Sequence, residues 1–89
     1  MTRFKLEIVN DKGLHARASA KFVELVESFD ASCKVKRNNT VVSGDSIMGL
    51  LMLSASKESM LEVKVSGPQK LELKRALQEL ISKKFGEEN

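Results

Sequence analysis

Three short segments of this chain alternate apolar with polar residues, so each has one side that must be covered. Phe4, Leu6 and Ile8 oppose Arg3, Lys5 and Glu7 between Arg3 and Val9; Ala31, Cys33 and Val35 oppose Ser32, Lys34 and Lys36; Leu61, Val63 and Val65 oppose Glu62, Lys64 and Ser66. Asn38 and Asn39, which tolerate positive φ, predict a tight hairpin from the second of these into a returning strand at Thr40 to Val42. Between the strands the period becomes helical. After the turn Asn10 to Gly13, spacing predicts a first helix from about Ala16 to Glu27, on which Ala16, Ala20 and Val23, then Phe22, Leu25, Val26 and Phe29, recur. A short helix over Ile47 to Leu53 is expected behind Ser46, a natural N-cap. The last helix should run from about Gln69 to Phe85, striped by Leu73, Ala76, Leu77, Leu80, Ile81 and Phe85 and stopped by Gly86. One sheet with helices stacked on one face satisfies the order strand, helix, strand, strand, helix, strand, helix.

Eighty-nine residues suffice for a single two-layer core, so one domain over 1–89 is expected. With 30% charged and 42% hydrophobic residues the composition is that of an ordinary globular domain. No apolar run approaches the roughly 20 residues of a membrane span, and Met1 leads into an alternating segment rather than a signal peptide. A cytoplasmic monomer without a membrane anchor is the expectation. The single cysteine, Cys33, allows neither an internal disulfide nor a multi-thiolate metal site and reads as a core position; no metal or cofactor is expected. The net charge of +3 is modest and the basic residues are scattered, with Lys34, Lys36 and Arg37 together and Lys83 and Lys84 near the end. Without Trp or Tyr to stack bases, nucleic-acid binding is not expected.

The only histidine, His15, lies in the run Gly13-Leu14-His15-Ala16-Arg17-Ala18-Ser19-Ala20, at a helix start. Such a start exposes backbone N–H groups without partners and carries about half a positive charge from the aligned peptide dipoles. A lone histidine there is ordinarily a surface residue or a cap, but its company favours chemistry. Gly13 lets the backbone turn sharply, and Arg17 offers a forked cation that suits phosphate oxygens. Both positive groups work against imidazolium, and a neutral imidazole can attack a phosphoryl group. Small residues at Ala16, Ala18 and Ala20 should keep the approach open to a partner.

Ser46 reads first as a structural cap, although a phosphate at that helix start would also be well placed beside exposed amides. Asp45 next to it would oppose the added charge. Leu50 and Leu53 are expected in the core, whereas some of Ile47, Met48, Leu51 and Met52 must remain exposed in so short a helix and form a docking surface.

Gly13-Leu14-His15-Ala16-Arg17, the later Ser46-Ile47-Met48-Gly49-Leu50 and the βαββαβα order together resemble the HPr family, the histidine-containing phosphocarriers of the bacterial phosphotransferase system. The resemblance covers essentially the whole chain. It implies an α+β open-faced β-sandwich, with a four-stranded antiparallel sheet in the order 1-4-2-3 and three helices on one face. It also implies that His15 takes a phosphoryl group on Nδ1 from enzyme I, itself charged by phosphoenolpyruvate, and hands it to an EIIA-type acceptor. Arg17 matches the phosphate-facing arginine. Ser46 matches the serine that an HPr kinase/phosphorylase modifies in many members, and Ile47, Met48 and Leu51 match the apolar patch that docks enzyme I and that kinase; Ala16 and Ala20, the small residues beside the histidine, are expected to join that docking surface.

Ala18 stands where the family usually has proline, a change that removes no donor or ligand and resembles regulatory members of the family. Glu24 and Glu27 stand where some relatives carry lysines, which bears on partner choice. Two functions follow from different classes: a phosphocarrier cycling at His15, or a regulatory binding protein acting through Ser46 and the apolar patch without sugar transport. A small RNA-binding domain is a remote third.

Overall fold

A computed structural model describes residues 2–87. Strands β1 (Thr2–Glu7), β2 (Ser32–Arg37), β3 (Thr40–Ser43) and β4 (Met60–Ser66) form one antiparallel sheet in the order β1-β4-β2-β3. Helices α1 (Ala16–Glu27), α2 (Ile47–Met52) and α3 (Lys70–Ser82) cover one face of it, giving the βαββαβα open-faced sandwich.

The register explains why only one face is covered. Phe4 pairs with Val63, Val63 with Val35 and Val35 with Val42, so one row of apolar side chains crosses all four strands on the inner face. Against it α1 packs Ala18, Phe22, Val23 and Val26, and α3 packs Leu73, Leu77 and Ile81. Leu50 and Leu53 complete the core as expected. On the outer face the same register aligns Arg3 with Lys64 and Lys64 with Lys34, and beside them Lys5 with Glu62 and Glu62 with Lys36. Basic residues scattered along the sequence are thus gathered on one surface, where like charges directly across strands oppose pairing.

The element boundaries differ from the sequence expectation mainly at two places. β1 ends at Glu7 rather than Val9, because Ile8 leaves the regular ladder to exchange bonds with the loop before β4: Ile8 N donates to Ser59 O at 2.9 Å and Glu58 N to Ile8 O at 2.7 Å. The last helix ends at Ser82 instead of reaching Phe85. A 3₁₀ turn, Lys84–Gly86, follows, with Lys84 and Phe85 at φ 55° and 57°. Each non-glycine residue in this left-handed region costs about 1–2 kcal/mol. Burying a phenylalanine returns about 2–3 kcal/mol, and Phe85 is only 1% exposed. The Lys21 ammonium adds a bond to Phe85 O at 2.6 Å. Core burial therefore bends the turn after α3 back toward α1, a tertiary effect that helical periodicity cannot report.

Cys33 lies in the core on β2, so close to Gly44 that a Cβ there would sit 2.6 Å from its Sγ. Burial, reinforced by the Asp45 charge, pushes the thiol up from 9.0 to about 12. The folded chain should therefore resist thiol reagents at pH 8 and react promptly once unfolded in denaturant, as absorbance-monitored labelling would show; equal rates in both states would contradict this burial. A raised thiol stabilises the fold fully below pH 9.0 and loses that contribution as pH climbs toward 12. Cys33→Ala should flatten that part of the alkaline stability profile.

Candidate functional site

The loop between β1 and α1 builds the site around Gly13. Its N–H donates to Asn10 O at 3.2 Å, closing a turn, and the next N–H, of Leu14, donates to Ala55 O at 2.8 Å. Gly13 has φ +66°, and a Cβ on it would lie 2.5 Å from Ala55 O, so glycine alone permits this approach of two backbones. Leu14 is buried beneath the loop, which anchors the residue that follows.

His15 is the N-cap of α1, in extended conformation (φ −81°, ψ −178°), and its carbonyl accepts from Ser19 N at 2.8 Å. Its side chain makes no capping bond. The N–H groups of Ala16, Arg17 and Ala18 precede the first intrahelical donor and have no helical acceptor, and no acidic residue occupies the first turn. The ring is 26% exposed and its Nε2 is in hydrogen-bond contact with Glu87 Oε2. Glu87 Oε1 accepts from Asn10 Nδ2 at 2.8 Å, and the same nitrogen donates to Gly13 O at 2.9 Å. Asn10 is fully buried.

Burial pushes the Glu87 carboxyl up, but bonds from Asn10 and His15 and the charges of His15 and Lys12 outweigh it and hold the group below the usual 4.5. Glu87 is ionised at neutral pH. Its contact with the site stabilises the fold above the ordinary carboxylate range and is lost as pH falls through the depressed value. Neither Glu87 nor the deeper role of Asn10 was visible in the sequence, where Asn10 is a turn residue and Glu87 follows a helix stop.

Arg17 is exposed in the first turn of α1, and its side chain has no hydrogen-bonded partner among the described residues. Ala16 is exposed and Ala20 half-buried. Ala18, however, does not line that approach: it points into the core at 1% exposure because it shares the buried face of α1 with Phe22. The expected apolar stripe through Ala16 is corrected in the same way, since the buried face begins at Ala18 and Ser19.

Ser46 caps α2, its hydroxyl accepting from Gly49 N at 3.0 Å. Asp45 instead accepts a hydrogen bond from Ser43 Oγ. Along α2, Ile47, Met48 and Met52 are exposed, the two methionines at 70%, and Leu51 is half-buried. α2 packs on α1, and the segment after it holds the His15 loop through Ala55. A hollow of about 320 Å³ lies elsewhere, on the open sheet face among Arg3, Lys5, Lys34, Lys36 and Lys64, and holds no nucleophile suited to carry a group. No helix among the described residues is long and apolar enough to cross a membrane.

An open-faced sandwich that presents a part-exposed histidine at an amide-rich helix start defines a small carrier with a surface site. A sequence model described as "PTS HPr component phosphorylation site" matches residues 2–83. The chain belongs to the HPr family, the phosphocarriers of the phosphotransferase system. It is 44% identical over 87 residues to phosphocarrier protein HPr of Neisseria meningitidis serogroup B, covering 98% of each chain. It is 36% identical over 84 residues to phosphocarrier protein NPr of Escherichia coli, covering 93% of each. Its fold superimposes on the crystal structure of HPr from Thermoanaerobacter tengcongensis with a TM-score of 0.94 at 37% identity, over 100% of both chains.

Proposed function

We propose that the chain, acting in the cytoplasm as one carrier domain, accepts a phosphoryl group on Nδ1 of His15 from enzyme I and passes it to an EIIA-type acceptor. The observation that carries this reading is the His15 ring itself: part exposed, one nitrogen engaged by Glu87 and the other, among the described residues, unpartnered, beside three amides that likewise find no acceptor there. The Nδ1 lone pair forms the P–N bond while the bond to the donor breaks, its electron pair leaving with the donor; onward transfer reverses these roles. Arg17 and the amides of Ala16 to Ala18 hold the phosphoryl oxygens. A surface site with few donors holds the group loosely enough to release it. Incubation with phosphoenolpyruvate and cognate enzyme I should give an acid-labile, base-stable label that maps to His15; a label mapping to any other residue would overturn the reading.

Ser46 is the second input in this proposal. It sits at the start of α2, next to the exposed Ile47, Met48 and Met52, where an HPr kinase/phosphorylase would add charge to an apolar docking surface shared with Leu51. This surface equally supports a regulatory role alongside the carrier function. Ser46→Asp should leave stability within about 0.5 kcal/mol, because aspartate caps as well as serine. It should slow phosphoryl uptake about tenfold by placing charge at the encounter surface. Uptake equal to the parent's at limiting enzyme I would contradict the proposal.

A further inference from the structure

We infer that Glu87, oriented by Asn10, fixes the tautomer of His15, holding the ring proton on Nε2 and leaving Nδ1 as the lone-pair nitrogen. This deepens the reading of His15 as the phosphoryl carrier and rests on it for its functional consequence.

The hydrogen-bond chain leaves no other assignment. Gly13 O can only accept, so the Asn10 group 2.9 Å from it is the NH₂. The same nitrogen lies 2.8 Å from Glu87 Oε1. Turning the amide over would set Oδ1 against both a carbonyl and a carboxylate, and the orientation holds even though Oδ1 finds no partner among the described residues. An ionised carboxylate only accepts. Its second oxygen, Oε2, faces His15 Nε2, so Nε2 carries the hydrogen. In the neutral ring the lone pair then belongs to Nδ1.

Three features make this a positioning device. Asn10 is buried and bound to the Gly13 turn, so the carboxylate is aimed by a rigid group. The segment that carries Glu87 is itself held, because Phe85 is in the core and Lys21 binds its carbonyl. The carboxylate also engages the ring nitrogen opposite the one that reacts, which keeps its negative charge off the incoming phosphoryl group.

When Nδ1 attacks, the ring becomes a phosphoimidazolium that keeps its original hydrogen on Nε2. Glu87 balances that positive charge where it forms, and no proton moves during uptake or release. Glu87 is a positioning residue, since it acts through the ring rather than on the phosphoryl group.

The test is nitrogen-15 NMR of the His15 ring at about pH 9, where free imidazole is neutral, on the full chain and on Glu87→Gln and Glu87→Ala. The parent should show a protonated Nε2 and an unprotonated Nδ1. In Glu87→Gln, Asn10 still demands an acceptor, so the new NH₂ faces His15 Nε2 and should drive the proton onto Nδ1. Its phosphoryl uptake should fall about tenfold, the loss expected for one charge-assisted hydrogen bond at a part-exposed site. Glu87→Ala frees the ring and should lose only about threefold, an inverse order to that expected if the side chain served packing alone. A parent ring protonated on Nδ1, or Glu87→Gln with an unchanged tautomer, would overturn the inference. Failure of the parent to take up phosphoryl would instead overturn the carrier reading, with the ring signals still reporting the tautomer.

Discussion

His15→Ala is expected to abolish phosphoryl uptake from phosphoenolpyruvate-charged enzyme I while leaving the chain folded. The side chain does not cap α1; the helix is started by the His15 carbonyl, which alanine retains. What is lost is one contact to Glu87 at a part-exposed site, so stability should change by about 1 kcal/mol. No second imidazole and no accessible thiol can take its place. His15 is the only histidine, and Cys33 is buried with its thiol pushed up to about 12. Uptake of label alongside a thermal melt checks both halves, and a folded variant that still takes up acid-labile phosphate would refute the assignment.

Gly13→Ala should damage both stability and function, because this glycine is where the fold places the site. The added Cβ would lie 2.5 Å from Ala55 O and 2.9 Å from Ser56 Cα, both backbone atoms that cannot swing aside as a side chain can. Alanine also strains at φ +66°. Together these should cost about 2–4 kcal/mol. Relaxation would displace the Leu14 to Ala55 bond and the Asn10 turn, and with them the ring that Glu87 holds. A misplacement on the order of 1 Å can cost about a hundredfold in rate, so uptake should fall by at least tenfold. Denaturant unfolding and initial uptake rates measure the two effects. Gly86 offers a contrast: its φ is also positive, but a Cβ there meets only the flexible end of Lys21 at 3.2 Å. A Gly13→Ala chain as stable and as active as the parent would show that the close approach to Ala55 does not matter.

What the sequence disclosed follows the range of the forces involved. The strands and the span of α1, Ala16–Glu27, are written in periodicities of 2 and 3.6, which local sequence records directly. The Ser46 cap and the His15 helix start are equally local. Where distant residues decide, the pattern was silent or misleading. The stripe on α3 continued through Phe85, yet the chain turns left-handed to bury that ring. Ala18 is a different case: its spacing of four from Phe22 already sets it on the buried face of α1, and composition alone groups it with the small residues around His15. The lysines of β2 and β4 looked dispersed because only strand register brings them side by side. Glu87 shows the same limit at the site, since its partners Asn10 and His15 lie at the other end of the chain and no motif links them.

The central claim is that the imidazole of His15 carries the phosphoryl group on Nδ1. It is tested most directly by phosphorylating nitrogen-15-labelled protein with phosphoenolpyruvate and enzyme I, then reading phosphorus–nitrogen coupling by NMR. A single phosphorus coupled to Nδ1 of His15, lost on acidification and stable in base, is the predicted result. Coupling to Nε2, or an acid-stable phosphorus with no nitrogen partner, would contradict it.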